Sequence, residues 1–206
     1  MVNQIQTNIQ LDNKIEQIFH IADIHIPNDT DRHPEFRLVF ENLYQTISSN
    51  KTQNSIIVIA GDIIDKSSRM TPDCIQLVKD FLGSLSKITD TIVISGNHDD
   101  NIRGNTTKTD SLSAIISDSN YNRLYHFRNT GIYNVGNNLS FGVTSVFDES
   151  LILSSDFNNI NRLKIGLYHG MVQSTNNNQN IPNGNYKFTQ HNFDGYDIVM
   201  LGDIHK

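Results

Sequence analysis

The sequence predicts an α/β fold, α+β in its order, with two β-sheets packed face to face and helices outside. Three observations carry that expectation. Short apolar runs of strand length recur along the whole chain. In the first half, segments with helical spacing separate them, which gives a β-α-β-α-β order. In the second half the runs follow one another almost without helix. A layered arrangement of two sheets with outer helices accommodates both halves.

The elements follow in order. The first strand run is Ile18–Ala22. His33-Pro34 then opens a helix with Phe36, Val39, Phe40, Leu43 and Ile47 at apolar spacing, and Pro34 sits in its first turn. Ile56–Ala60 is the second strand. Thr71-Pro72 starts another helix, whose apolar face is Ile75, Val78, Phe81, Leu82 and Leu85. The third strand is Thr91–Ser95, and a shorter helix covers Asp110–Ile116. From about Leu124 the pattern changes. Ile132–Val135, a Gly136-Asn137-Asn138 turn and Leu139–Val146 read as a hairpin. Leu163–Tyr168 and Ile198–Leu201 are two further strands, separated by an Asn-rich stretch, Gln173–Asn185, that reads as a solvated loop. No repeat or linker divides the chain, so residues 1–206 are taken as one catalytic domain.

Five of the apolar runs end in residues that bind metals. The ends are Asp23-Ile24-His25, Gly61-Asp62, Gly96-Asn97-His98-Asp99, His169-Gly170 and Gly202-Asp203-Ile204-His205. A strand that ends in a ligand points it at a shared sheet edge, so patches far apart in sequence can meet. Carboxylates come from Asp23, Asp62 and Asp203, imidazoles from His25, His169 and His205, and an amide oxygen from Asn97. Mixed N and O donors without thiolate suit Mn²⁺, Fe or Zn²⁺ better than Ca²⁺. Seven ligands exceed what one small cation needs and suit two that share a carboxylate, the clamp used for in-line displacement at phosphorus.

The ordered set Asp-x-His, Gly-Asp, Gly-Asn-His-Asp, His-Gly, Gly-x-x-His resembles the calcineurin-like metallophosphoesterase superfamily, from Asp23 to His205. That resemblance implies a four-layer αββα sandwich and two divalent ions, Mn²⁺ first among the choices. It also implies roles. Asp23, His25 and His205 would hold one ion, Asp62 would bridge, and Asn97, His169 and Asp203 would hold the other. His98 would lie over the phosphate as general acid or charge stabiliser, with Asp99 orienting it. Asp203 stands where many members of the family carry His.

Within the superfamily, Gly61-Asp62-Ile63-Ile64-Asp65, Asp110-Ser111-Leu112-Ser113 and Leu201-Gly202-Asp203-Ile204-His205-Lys206 are similar to the DNA-repair nuclease subunits of the Mre11 and SbcD type. These imply hydrolysis of DNA by a metal-bound hydroxide, a homodimer, and a partner ATPase of the structural-maintenance (SMC) type. Protein Ser/Thr phosphatases differ at Asp65-Lys66-Ser67 and at Asp99. The alternative is a phosphatase or phosphodiesterase for a small molecule or phosphoprotein. A third reading, a binding module on an inactive scaffold, is opposed by the full ligand set.

Arg32, His33 and Arg37 follow the first patch and are the candidate contacts to a phosphate backbone; an ordinary solvated helix start is the plainer reading. Arg103 and Lys108 have the same two readings. Net charge is −6, and two divalent cations would reduce it to −2, so charge only weakly opposes nucleic acid. Asp65 is a turn cap or a partner of the bridging carboxylate. His20 reads as a strand histidine, His126 and His191 as surface or loop residues, and the lone cysteine, Cys74, as a small helix-face residue. The polar start lacks a secretory signal and no apolar run approaches membrane-spanning length. An intracellular protein, cytoplasmic or nuclear, is expected. Lys206 stops just past the last patch, so the domain is expected to be C-terminally incomplete.

Overall fold

The computed structural model describes residues 13–99, 110–147, 150–158, 161–173 and 188–203, and the backbone of 4–6. In chain order the elements are β1 (Gln4–Gln6), β2 (Gln17–Ile21), α1 (His33–Asn50), β3 (Ser55–Ala60), α2 (Pro72–Ile88), β4 (Asp90–Ile94), α3 (Ser111–Ser117), β5 (Leu124–His126), β6 (Gly131–Val135), β7 (Leu139–Thr144), β8 (Leu163–His169), β9 (Val172–Gln173), β10 (Phe188–Thr189) and β11 (Ile198–Gly202). The Asn-rich stretch from residue 174 on, Arg103, Lys108 and His205 lie outside the described residues.

One sheet has the order β2-β3-β4-β5 and is parallel throughout. Its central strands are apolar on both faces, as parallel strands covered on both sides must be. Along β3 and β4 the faces alternate. Ile56, Val58, Ala60, Ile92 and Ile94 enter the core between the sheets. Ile57, Ile59 and Val93 face the helices, against Phe40 and Ile47 of α1 and Leu77, Val78, Phe81, Leu82 and Leu85 of α2. Phe81 is fully buried, and truncating it to Ala would cost about 3–5 kcal/mol. Both longer helices begin as their sequences dictate. Pro34 lies in the first turn of α1, and Thr71 Oγ1 accepts the Cys74 N–H at 3.2 Å ahead of α2.

The second sheet has the order β1-β6-β7-β8-β11, with β6 and β7 the antiparallel hairpin and the remaining pairs parallel. Tyr133, Val135, Leu139, Phe141, Val143, Ile165, Leu167 and Met200 complete the inter-sheet core. Its outer face carries Ile132, Ile152 and Phe157 with Tyr196, which lies over Gly142 and Gly166. Among the described residues this cover is made by irregular segments and short 3₁₀ turns rather than a long helix. The two-sheet sandwich is the one predicted. Four strands are additional: β1, the three-residue edge strand β5, and the two-residue strands β9 and β10, which pair with each other in parallel as a separate small sheet. Val39, expected on the apolar face of α1, is 61% exposed, as is its neighbour Leu38 at 67%. The buried stripe of that helix runs through His33, Phe40 and Ile47 instead.

Strands β2, β3, β4, β8 and β11 end at one edge of the sandwich. Ile21 pairs with Ile59, Ala60 with Ile94, and His169 with Gly202. All five patches therefore begin along that edge.

Candidate metal centre

Backbone contacts lock the first three patches together. The N–H groups of Ile24 and His25 both donate to Asp62 O at 2.9 Å, and Ile26 N donates to Ile63 O at 2.8 Å. Asp99 joins the second patch to the third. One of its carboxylate oxygens accepts Ile64 N at 2.9 Å and the other accepts Gly96 N at 2.8 Å. The glycines leave no room for a side chain. A Cβ on Gly96 would overlap the Asp62 carboxylate, and one on Gly61 would lie 2.5 Å from His169 Nδ1. Gly61 also has φ 82, a conformation glycine adopts freely.

Four non-glycine residues adopt positive φ among those described: Asp23 (55), His25 (49), Asp62 (53) and Asp203 (65). Such backbone costs on the order of 1–3 kcal/mol per residue and concentrates at functional sites. All four are ligands expected from the sequence.

Asp62 is fully buried at the centre. Its Oδ1 accepts the His98 N–H at 2.9 Å and lies 3.2 Å from His169 Nε2. Among the described residues its Oδ2 is buried without a hydrogen-bond partner, 3.6 Å from His25 Nε2. Ligand atoms of Asp23, Asp62 and His169 lie within 4.8 Å of one another, and so do those of His25, Asp62 and His98. Asp62 thus belongs to both groups, as a bridging ligand would.

His169 shows what the centre lacks. Its Nδ1 donates to Ala60 O at 2.7 Å, which ties the end of β8 to the end of β3. Its Nε2 faces two acceptors, Asn97 Oδ1 at 2.9 Å and Asp62 Oδ1 at 3.2 Å. Only a proton or a metal cation satisfies three converging lone pairs. Burial pulls the His169 pKa down, but the hydrogen bond and charge of Asp62 outweigh it, and the net shift is upward. Burial likewise pushes Asp62 up, and His169 with the His98 N–H outweighs that, so the net shift is downward. The raised pKa of His169 favours a proton at Nε2, the position a cation would compete for. The donor set fits a divalent ion: Asp23, Asp62 and His169, with Asn97 against His169, on one side, and His25, Asp62 and His98 on the other, so that Asp23 groups with His169 rather than with His25 as expected, and His98 stands within ligand distance.

Other site residues differ from expectation. Asp99 does not orient His98, because both of its oxygens are committed to backbone N–H groups. Burial pushes its carboxyl up to about 7. His98 is held instead through Nδ1, 2.6 Å from Asp65 O, and its ring meets that of His25 edge-on with centroids 4.9 Å apart. Asp65 therefore acts near the centre through its carbonyl. The backbone of Asp203 reaches the site, its N–H donating to Asp23 Oδ1 at 2.8 Å. Among the described residues, the ligand groups do not include its carboxylate. Burial, and then the charge of Asp203, raises the Tyr168 phenol. His33 is not a surface cation: it is 6% exposed, and its Nε2 lies 2.8 Å from Pro27 O, where it braces the loop after the first patch. Arg37 pairs with Asp80 of α2 at 3.2 Å, and the exposed Arg32 lies 3.8 Å from Glu35.

Residues 17–206 match the calcineurin-like phosphoesterase family. The chain belongs to that family. Membership makes this a metal-dependent phosphoester hydrolase domain. The chain is also 37% identical, over 203 residues, to an uncharacterized protein of Acanthamoeba polyphaga mimivirus. That match takes in 94% of this chain and 15% of the relative's length. No helix among the described residues is long and apolar enough to cross a membrane.

Proposed function

We propose that the domain hydrolyses phosphodiesters at a two-metal centre, with DNA the substrate class that its Mre11- and SbcD-like patches favour. The carrying observation is Asp62, shared by two ligand groups whose atoms lie within 4.8 Å. The proposed ligands are Asp23, His25, Asp62, Asn97 and His169, with His205, outside the described residues, joining Asp23 and His25 as the resemblance implies. Divalent ions bound there, Mn²⁺ first, would polarise the phosphoryl group and acidify a water. The chain's own residues do the rest. Asp99 and the glycines fix the spacing of the patches. Ala60 O fixes the His169 tautomer, so that Nε2 is the coordinating atom. Asp65 O accepts from His98 Nδ1, which leaves Nε2 to meet the leaving oxygen as proton donor. A homodimer and an SMC-type ATPase partner are proposed by resemblance only.

The test compares bis(p-nitrophenyl) phosphate, p-nitrophenyl phosphate and linear duplex DNA, with chelated protein and after Mn²⁺ is restored. Metal-dependent cleavage of the diester and of DNA supports the reading; turnover of the monoester alone refutes it. The second reading, a small phosphoester as substrate, gains from one observation. Burial of His33 and pairing of Arg37 leave little of the basic cluster to meet a nucleic-acid backbone. If DNA is the substrate, Arg32→Ala weakens its cleavage, most at low salt and with a shallower salt dependence than the parent, and spares the small diester.

A further inference from the structure

The run Asp110-Ser111-Leu112-Ser113 and His126 take no part in the ligand set, yet a chain of polar contacts joins them to it. Ser95, which precedes Gly96-Asn97-His98, is buried, and its Oγ lies 2.9 Å from His126 Nε2. His126 Nδ1 lies 3.4 Å from Ser113 Oγ. The Ser113 hydroxyl donates to Asp110 Oδ2 at 2.6 Å, and the same oxygen accepts Arg128 Nε at 2.7 Å. Asp110 is buried, and its other oxygen accepts Ser113 N–H at 2.6 Å as the cap of α3.

Chemistry fixes the direction of this chain. Ser113 has one hydroxyl proton and gives it to the carboxylate, so toward His126 it can only accept. The imidazole proton is then on Nδ1, and Nε2 accepts from the Ser95 hydroxyl. Burial keeps the ring neutral, with a pKa lowered to about 4. A second strut runs in parallel: Ser111 Oγ donates to Ser67 O at 3.4 Å, and Ser67 N donates to His98 O at 3.3 Å. The first turn of α3 is therefore tied to both sides of the Asn97-His98 turn. Two buried polar side chains, Ser95 and Asp110, linked through the half-buried His126 and Ser113, are a costly way to fill an interior that apolar groups would fill at least as well. What they supply is a single geometry for the residues they hold.

We propose that His126 is a positioning residue that clamps Ser95 to the first turn of α3 and thereby sets where Asn97 and His98 stand. The proposal rests on the reading of the site as a phosphoesterase centre. It is tested with three variants. His126→Leu fills the same space without either bond, Ser95→Ala removes the bond from the other side, and His126→Gln offers an amide oxygen where Nε2 stood. Each is measured where circular dichroism shows it folded, both for diester turnover and for Mn²⁺ binding by calorimetry. The Leu and Ala variants should lose about 10- to 100-fold in kcat with KM little changed, since sub-ångström placement is what fails. They should also bind one of two ions more weakly, and Gln should restore most of both losses. A residue serving only stability would give equal turnover per folded molecule in Leu and Gln, and that result overturns the proposal. If the parent turns over no phosphoester, the functional reading fails and calorimetry alone decides: Leu and Ala variants that bind Mn²⁺ as the parent does overturn the positioning role.

Discussion

Metal binding should release one proton per centre, and the proton should come from His169. The perturbation is pH, applied to metal-free protein. Nδ1 of His169 keeps its proton on Ala60 O in either state, so only the proton on Nε2 can leave. That proton faces Asn97 Oδ1 at 2.9 Å and Asp62 Oδ1 at 3.2 Å; burial pulls the ring's pKa down, but the hydrogen bond and charge of Asp62 outweigh burial and raise it. Asp62 is shifted down and stays ionised, so it contributes no proton. The sign follows: below the raised His169 pKa an incoming cation must displace a proton, so affinity falls as pH falls. One displaced proton corresponds to about tenfold in affinity, or ~1.4 kcal/mol, per pH unit. The slope flattens above that pKa, where the ring is already neutral. Calorimetric Mn²⁺ titration in buffers of different ionisation enthalpy, stepped from pH 8 to pH 6, reads the released proton directly. His169→Gln provides the control, because an amide takes up no proton: its affinity should be low and its slope flat. A parent that binds Mn²⁺ with no proton release across this range, or a Gln variant that releases the same proton, refutes the assignment of Nε2 as the coordinating atom.

Four further outcomes follow from the same geometry. Asp62→Asn should reduce Mn²⁺ stoichiometry at both positions together, because Asp62 belongs to both ligand groups; loss of one ion alone would show that it does not bridge. His98→Ala should keep its metal but lose about 10²–10⁴-fold in turnover, as expected for proton donation, and its failure to bind metal would make it a ligand instead. Asp203→Ala keeps the N–H on Asp23, so metal affinity should fall by less than about tenfold, ~1.4 kcal/mol, whereas a side-chain ligand would cost more. His126→Gln should change how stability responds to acid. The folded pKa of about 4 lies below the unfolded 6.5, so the parent loses stability as pH falls through that window, by at most roughly 3 kcal/mol, and the variant should lack that component in urea unfolding.

Much of this architecture is legible in the chain because one signal repeats. Apolar runs of four to seven residues can only be strands here, and helical spacing between them can only be outer cover. The patches are legible for a related reason. Glycine and a metal-binding side chain at the end of a buried strand form an unlikely pairing unless backbone and ligand crowd together, as Gly61 and Gly96 do against His169 and Asp62. Short edge elements are not legible. β5 has three residues, too few for any period, and so His126 reads as a loop histidine although it bonds Ser95. Nor does sequence show what a charge faces. Arg32, His33 and Arg37 are close neighbours, yet His33 turns inward to Pro27, and Arg37 reaches across to Asp80 of another helix.

The hardest feature to foresee is also the one that speaks most directly for function. Asp23, His25, Asp62 and Asp203 take a backbone conformation that glycine would adopt without strain. Stability alone would place glycine at each of them, as it does beside Asp62 at Gly61. The strain persists because the turn has a second task. A strand that simply ended would carry its last side chain onward into solvent, whereas a left-handed residue folds the chain back and brings its side chain or its N–H onto the shared edge. Asp23, His25 and Asp62 deliver ligand atoms this way, and Asp203 delivers an N–H to Asp23. The four strained turns and the unpartnered Asp62 Oδ2 are therefore two consequences of one design, in which local stability is given up to assemble a centre that is complete only when cations occupy it.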